Sequence, residues 1–214
     1  MPQELMTSSA TQGTDLGALA TTGDGRYFRY CSAGTQNLVI GKLQQSAAQV
    51  SGNQNLSIAA SAAGTKTITT TSTVTLTANQ LAGGWAMITT GAGAGYQYKI
   101  ASHPAATAAV VTLTLEDPIQ VALTTASKVD LTANQYAGVG INSATAVTQP
   151  VGVCVYPITA GQYGWIQTRG PVNVLADGAV TVGTSLVASN AVDGAVEPLT
   201  GVQAAIGTAI TDIK

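Results

Sequence analysis

Charged residues are scarce in this sequence. Lys and Arg number 8 and Asp and Glu number 10 among 214 residues, so that 8% of the chain is charged, against roughly 25% in an ordinary soluble domain. A surface with so few charges repels copies of itself only weakly. The composition therefore favours a protein that lives packed against neighbours or outside a cell, and it disfavours an enzyme that holds several ionised groups in one cleft.

Basic clusters and long apolar runs are missing as well. Phosphate binding needs clustered Lys or Arg, and the only local basic pair is Arg26 and Arg29, so nucleic acid is not expected as a partner. No apolar run approaches the roughly 20 residues of a membrane span, and we expect no membrane partner. The first 15 residues hold no basic stretch followed by an apolar core, which predicts a protein without a secretory signal that is assembled in a cytoplasm.

Metal-binding and catalytic patterns are the third absence. The two cysteines, Cys31 and Cys154, lie 123 residues apart, whereas a metal site needs Cys or His at short spacing, so we expect two buried free thiols. The single histidine, His103, precedes Pro104 in a predicted loop, and nothing in the sequence selects a nucleophile for it. We therefore predict a non-enzymatic protein with no catalytic residue, no metal and no cofactor.

Threonine, valine and glycine are abundant instead. The 24 glycines recur about every nine residues, which is the spacing of short strands joined by turns. Residues 66–76 alternate, with Ile68, Val74 and Leu76 on one parity and threonines on the other. These patterns predict an all-β fold of short antiparallel strands that form a sandwich or a barrel.

Two local features refine this β prediction. Strands at 85–90 and 96–100 flank the glycine-rich run 91–95, which predicts a hairpin with a flexible tip that can touch a neighbour. The octet LTANQLAG at 76–83 returns as LTANQYAG at 131–138, with seven of eight positions identical. We interpret the octet as one strand-to-turn corner that is used twice.

The chain divides by composition into three segments. Residues 1–22 are polar and predict an extended N-terminal arm that is ordered only where a partner holds it. Residues 23–125 form a β-rich domain, and the five short strands expected in 126–214 predict a compact C-terminal β-barrel with Tyr163 and Trp165 on its apolar face. The boundary at 125/126 stays open, because the last two segments can also form one unit.

The densest aromatic and basic cluster of the chain is GDGRYFRYC. Tyr and Arg are over-represented at protein interfaces, so this strand is the best candidate for a contact surface. Alternate residues of a strand face opposite sides, and the alternative is that half of the strand belongs to the core. The predicted partner-binding residues are Arg26, Tyr27, Phe28, Arg29 and Tyr30.

Several longer segments resemble small structural proteins of tailed bacteriophages. They are GDGRYFRYCSAGTQNLVIGKLQQ, TANQLAGGWAMITTGAGAGYQYKIASHP, LEDPIQVAL and LTANQYAGV. The last third, with AGQYGWIQTRGPVNVLADGAVTVGTSLVAS, resembles the compact β-barrel common in such proteins. The resemblance covers most of residues 17–210 and rests on pattern and composition.

The resemblance implies a capsid decoration (cement) protein without enzyme activity. Such a protein is often a homotrimer, and it binds the major capsid protein on the outer surface of the virion, where it stabilises contacts between capsid subunits. Assembly takes place in the host cytoplasm. The resemblance supplies no motif-defined binding residues, so the contact residues given above rest on composition alone.

Two other functions fit parts of the sequence. A phage fibre or adhesin module would bind a host-surface glycan by stacking sugars on Trp85, Trp165 and the tyrosines. A cysteine peptidase would need Cys31 or Cys154 close to His103. The first would be located at a tail or spike tip, and the second would lose activity when its cysteine is replaced.

Overall fold

The computed structural model describes residues 3–145 and 149–212, and it is all-β with antiparallel sheets. The predicted fold class is thereby confirmed. Helical structure in the described residues is limited to two 3-10 turns, Gln3–Leu5 and Ser51–Asn53. The strands are β1 (Leu19–Thr21), β2 (Tyr27–Ser32), β3 (Leu43–Gln45), β4 (Leu56–Ser57), β5 (Thr67–Thr71), β6 (Thr75–Leu76), β7 (Trp85–Thr90), β8 (Gln97–Ser102), β9 (Ala106–Thr107), β10 (Val110–Leu115), β11 (Lys128–Thr132), β12 (Gly140–Ile141), β13 (Pro150–Cys154), β14 (Tyr163–Arg169), β15 (Ser185–Ala188), β16 (Val196–Pro198) and β17 (Gly207–Thr208).

No helix in the described part of the chain is long and apolar enough to cross a membrane.

The chain forms two compact units, one of which is inserted into the other. The discontinuous unit comprises Met1–Ala47 and Gln135–Lys214, and the inserted unit comprises Ala48–Asn134. The strands on either side of the insertion pair with each other, with Gln44 of β3 opposite Ile141 of β12. The composition-based division at 22/23 and 125/126 places its boundaries elsewhere, because a pairing between such distant residues leaves no local trace in the sequence.

The discontinuous unit contains a six-stranded sheet and a three-stranded sheet. Their strand orders are β1-β2-β14-β13-β3-β12 and β16-β15-β17. One face of the larger sheet carries a core that includes Cys31, Leu38 and Ile166. A second core, which includes Leu43 and Val153 of the larger sheet, joins it to Leu186, Val196 and Ala209 of the smaller sheet region.

The inserted unit is a nearly closed barrel. Its strands follow the order β4-β11-β7-β8-β10-β5, and a bridge between Ile58 and Thr70 returns β5 to the end of β4. Closure removes free edges from a small sheet. The interior is filled by apolar side chains such as Ile68, Ile100 and Leu113, none of them measurably exposed. The range 126–214, in which the sequence predicts a compact barrel, contributes β11 to the inserted unit and β12 to β17 to the discontinuous unit.

The hairpin of β7 and β8 is confirmed by their antiparallel pairing. Its glycine-rich tip packs against the barrel, where the sequence predicted a flexible loop. Ser127 donates a 2.8 Å hydrogen bond from Oγ to the carbonyl oxygen of Ala92. Gly91, at φ 76°, lies so close to Ser127 that a Cβ would approach its Cα to 2.7 Å. Glycine is required there by both the backbone angle and the space.

The two copies of the octet adopt related but unequal corners. Gly83 and Gly138 share the left-handed backbone, at φ 72° and 66°, whereas Asn79 is left-handed at φ 60° and Asn134 is not. The copies also touch each other, because Nδ2 of Asn134 donates a 3.3 Å hydrogen bond to the carbonyl oxygen of Gly83. The left-handed glycine that both copies share fits the interpretation of a corner that is used twice. The backbone conformations of the two asparagines differ.

Candidate interaction surfaces

The structure places the five predicted contact residues along β2 and at the residue before it. Phe28 has no exposed surface and Tyr30 retains 6%, whereas Arg26, Tyr27 and Arg29 are partly exposed. The rings of Phe28 and Tyr30 therefore belong to the interior, as the alternative for this strand anticipated. A partner-binding role remains a prediction for the three partly exposed residues.

Arg26 is oriented by a local ion pair. Its Nη2 lies 2.7 Å from Oδ2 of Asp24, its Nε donates to the same oxygen at 2.8 Å, and Thr22 donates its hydroxyl hydrogen to Oδ1. These bonds from Arg26 and Thr22 hold the pKa of the Asp24 carboxyl well below its usual range. The guanidinium also lies 5.8 Å from the centre of the Phe28 ring, so Arg26 presents a fixed positive group beside the sheet.

Three aromatic side chains, Tyr30, Tyr163 and Trp165, form what we call the aromatic row. Tyr30 stacks on Tyr163 with ring centres 6.2 Å apart and meets Trp165 edge-on at 5.1 Å. The prediction that Tyr163 and Trp165 face the apolar core was wrong, because both are half-buried while Gly164 and Ile166 between and beside them point inward. The space above Gly164 is occupied by Ile158, whose Cδ1 would lie 2.7 Å from a Cβ there.

Residues 6–17, which we call the strap, lie across the aromatic row. Ser9 and Tyr163 exchange backbone hydrogen bonds of 3.0 and 2.8 Å, and the N–H of Gly13 donates to Oη of Tyr30 at 2.9 Å. Arg29 donates from Nη1 to the carbonyl oxygen of Gly17 at 2.7 Å. Most of the strap is exposed. The arm expected to need a partner is therefore laid on its own sheet by a few bonds.

Tyr27 has a cationic partner that the sequence analysis missed. The guanidinium of Arg169 lies 5.2 Å from the centre of the Tyr27 ring, which is a cation–π distance. The two residues meet because Arg169 is opposite Tyr27 in the pairing of β14 with β2. Only the register of two distant strands places them together, so no local signal in the sequence could have found the pair.

The inserted barrel presents an uncharged outer surface on β5 and β10. Ile68, Val111 and Leu113 point inward, and the alternate residues point outward. Thr69 and Thr112 are joined across the strands by a 2.9 Å contact between their hydroxyl oxygens, and Val110 is 66% exposed. We call this surface the threonine face, and its members are Thr67, Thr69, Thr71, Val110, Thr112 and Thr114.

Another part of the barrel exposes an aromatic ring among polar groups. Trp85 on β7 is 39% exposed, and it lies opposite Lys99 on β8 and Thr132 on β11. Lys99 forms an ion pair of 2.9 Å with Glu116. The exposed Trp85 ring therefore provides a flat apolar surface, and the polar side chains of Lys99 and Thr132 lie on the neighbouring strands.

The residues considered for nucleophilic chemistry, Cys31, Cys154 and His103, are all buried. Cys31 and Cys154 are free and buried, as the sequence predicted. Burial raises the pKa of the Cys31 thiol to about 12 and that of Cys154 to about 11, so both remain protonated at neutral pH. His103 is also buried, and both of its ring nitrogens have hydrogen-bonding partners within the barrel.

Within residues 3–145 and 149–212, no group of three or more His, Cys, Asp or Glu side chains is placed to hold a metal ion. Comparison with known proteins does not add a function, since no family model matches the chain and no curated protein or solved structure gives a significant match.

Proposed function

We propose that this chain is a non-enzymatic structural protein of a phage virion, which binds the outer face of the capsid and stabilises contacts between capsid subunits. The observation that carries the proposal is the threonine face. Six adjacent outward side chains on two strands carry no charge, and they offer methyl groups for packing and hydroxyls for hydrogen bonds. A surface of this kind can be buried against another protein without leaving an unpaired charge behind.

The strap supports the same proposal from the other unit. It is mostly exposed and is held on the aromatic row by a small number of hydrogen bonds. Transfer of such a segment to a capsid subunit would exchange its few internal bonds for external ones and would lengthen the footprint. Contact through two separate regions makes the bound state much tighter than either contact alone.

The mechanism follows from many such contacts around the shell. Each copy buries area on more than one capsid subunit, and separation of those subunits then requires breaking the contacts to every copy that bridges them. Because the binding surfaces are nearly free of charge, attachment should depend only weakly on salt. A steep loss of binding between 50 mM and 500 mM salt would contradict this mechanism.

The test is co-sedimentation of the purified protein with empty heads of the tailed phage that encodes it. We expect the wild-type chain to pellet with heads at a fixed copy number. The variant Thr71→Lys with Thr114→Lys adds two separated charges to the threonine face and should bind at least tenfold more weakly, because burying even one uncompensated charge costs more than the 1.4 kcal/mol of a tenfold change.

The matched control adds the same two charges outside that face. Gln97 and Thr124 are both exposed in the inserted unit, and Gln97→Lys with Thr124→Lys should bind heads as the wild type does. Failure of the wild-type chain to bind heads would refute the proposed function. Equal binding by the two double variants would instead refute the threonine face as its contact surface.

A glycan-binding adhesin is the second candidate, and the exposed Trp85 beside Lys99 favours it. An exposed aromatic ring can stack against the apolar face of a sugar, and polar groups beside the ring can form hydrogen bonds. If this candidate is right, the wild-type chain is retained on a host-surface glycan column and does not pellet with heads, and Trp85→Ala abolishes the retention. Under the capsid proposal the same variant should keep its full copy number on heads.

A further inference from the structure

The three-stranded sheet of the discontinuous unit ends in a strand that is paired on one side only. β17 pairs with β15 through Ser185 opposite Thr208 and Leu186 opposite Gly207. Three flanking backbone hydrogen bonds extend this attachment. Ala209 accepts one from the N–H of Gly183 and donates one to the carbonyl oxygen of Thr184, and Ile206 donates one to the carbonyl oxygen of Leu186. The sheet order β16-β15-β17 leaves the outer edge of β17 unpaired in the described chain.

An exposed segment, residues 200–205, precedes this strand, and we call it the tether. No hydrogen bond joins residues 200–205 to the rest of the described chain, and each of these six residues is exposed. Val202 is as exposed as a side chain can be, at 106%. Six extended residues span up to about 20 Å, so the tether is long enough to carry the following strand to another molecule.

An open pocket lies beside this strand. A cavity of about 750 Å³ is lined by residues 206–211, with Leu43, Val153 and Leu186 among the other residues on its walls. Ala209 is the buried residue of this segment, whereas Ile206 and Ile210 are 41% and 65% exposed. The segment therefore buries the small side chain of Ala209, whereas much of the surface of the larger Ile206 and Ile210 side chains remains exposed to solvent.

The exposed edge is short, since β17 has only two residues, but it has neither a charge nor a proline to protect it. Edge strands in monomers are usually guarded by charged residues, proline or a bulge. Residues 199–211 contain no charged residue and no proline. An uncharged strand edge with outward isoleucines fits a position that is covered by another copy in the working form of the protein.

We propose that residues 206–211 are exchanged between copies of this chain, with β17 of one copy docked on β15 of the next. The occupant is a second copy because the edge of β15 already accepts this segment, and the identical segment of a neighbour makes the same bonds. Exchange of an identical element through a loose hinge is a low-cost route to oligomers. The outward isoleucines would then lie at the junction between copies. The exchange does not depend on the capsid role.

A disulfide across the β15–β17 pair tests the exchange directly. In the variant Ser185→Cys with Thr208→Cys, the two new thiols lie on paired residues, and the native cysteines can stay because they are buried and protonated. After oxidation we expect covalent dimers or larger closed species on a non-reducing denaturing gel. Links confined to single chains would overturn the proposal.

A matched pair in the inserted barrel calibrates this result. The hydroxyls of Thr69 and Thr112 are in contact on the exposed surface, and Thr69→Cys with Thr112→Cys should link within one chain only. Multi-copy products from this pair would mean random crosslinking, and equal products from both pairs would overturn the exchange.

A fluorescence measurement covers the case in which the disulfide does not form. Copies labelled only at Ser185→Cys are refolded together with copies labelled only at Thr208→Cys. Paired strands bring the two labels close, because residues opposite each other on neighbouring strands are about 5 Å apart. Near-complete energy transfer within mixed oligomers supports exchange, and transfer no greater than between copies labelled at the exposed Gln97→Cys in the inserted unit contradicts it.

Discussion

The backbone N–H of Leu81 donates a 2.9 Å hydrogen bond to Nε2 of His103 inside the inserted barrel. Because Nε2 accepts, the ring hydrogen is on Nδ1, which donates to the carbonyl oxygen of Pro104 at 2.8 Å. His103→Ala would leave a buried N–H without its acceptor and open a cavity. We expect a loss of about 2–4 kcal/mol of unfolding free energy.

Urea unfolding followed through Trp85 measures this loss in the barrel itself, with Trp165→Phe as the background that removes the other tryptophan. Gln97→Ala, a change on the exposed surface, should remain within about 0.5 kcal/mol of that background. A His103→Ala effect as small as this would mean that water replaces the ring without cost.

Gly84 leaves no room for a side chain. A Cβ at this position would lie 2.1 Å from the carbonyl oxygen of Thr132, which is backbone and cannot turn aside. Gly84→Ala should therefore destabilise the barrel by about 3 kcal/mol or more. Gly64→Ala separates this clash from backbone preference, because Gly64 has open space and only a positive φ of 87°, and it should cost about 1 kcal/mol. Similar effects of both changes in urea unfolding would contradict the steric argument.

The elements with a local cause were predictable from the sequence. Ile68 is buried and its threonine neighbours face outward because a strand alternates, and that pattern can be read over a few residues. The bridge from Ile58 to Thr70 that closes the barrel, and the pairing of Gln44 with Ile141 that makes the barrel an insertion, depend on register between separate segments. Such pairings are determined by the tertiary structure as a whole, and they produce no periodic pattern in the sequence.

The contact surfaces divide in the same way. The cluster around Tyr30 was found because aromatic and basic residues are dense there, but its ring is buried by Tyr163 and by Trp165, which lie more than 130 residues further along the chain. The threonine face became a surface only when β5 and β10 were found to be neighbours. The alternation of threonines within one strand could therefore be read from the sequence. That two such strands lie side by side and form one surface could be seen only from the sheet order.

The two buried thiols predict a defined reactivity. Burial raises the pKa of Cys31 to about 12 and of Cys154 to about 11, from an ordinary value of 9.0. The folded protein at pH 8 should release almost no colour from a thiol-exchange reagent, and the unfolded chain should react at two thiols per molecule. Rapid reaction of the folded protein would place one of them at the surface.

The same shifts make stability depend on alkaline pH. A raised pKa means that the folded state holds these protons more tightly than the unfolded state does. The contribution is complete below pH 9 and declines as pH rises from about 9 to about 12. Replacing both residues by alanine should flatten this part of the stability profile, and an unchanged profile would assign the decline to other groups such as Tyr136, whose pKa burial also raises.

Asp24 titrates under the control of Arg26. The bonds from Arg26 and Thr22 stabilise the carboxylate and hold its pKa well below the usual range. Arg26→Gln should move that pKa upward toward the ordinary 3.8, as followed by carboxyl carbon NMR shifts. Arg29→Gln is the control, because the Arg29 guanidinium bonds to Gly17, and it should leave the Asp24 titration in place. An equal rise of the Asp24 pKa in both variants would mean that the loss of any nearby positive charge raises it, and not the loss of the Arg26 bonds in particular.

All of the strap except Gly17 can be removed without removing a strand. β1 begins at Leu19 and pairs with β2, and the N–H of Gly17 donates to the carbonyl oxygen of Tyr30, so a deletion should end at residue 16. Deletion of residues 3–16 should leave the far-ultraviolet circular dichroism of the sheets in place. It should expose the aromatic row, which acrylamide quenching of Trp165 detects in a Trp85→Phe background.

Under the proposed capsid role, the same deletion distinguishes a strap that binds a capsid subunit from one that only covers the sheet. If the strap transfers to a capsid subunit, the copy number on heads falls while Trp165 becomes more accessible. If it only covers the aromatic row, quenching rises and head occupancy does not change. Tyr30→Phe removes only the acceptor for the Gly13 N–H, so it should loosen the strap without shortening it and keep head occupancy close to the wild-type value. Unchanged occupancy after the deletion would therefore assign head binding to the threonine face alone.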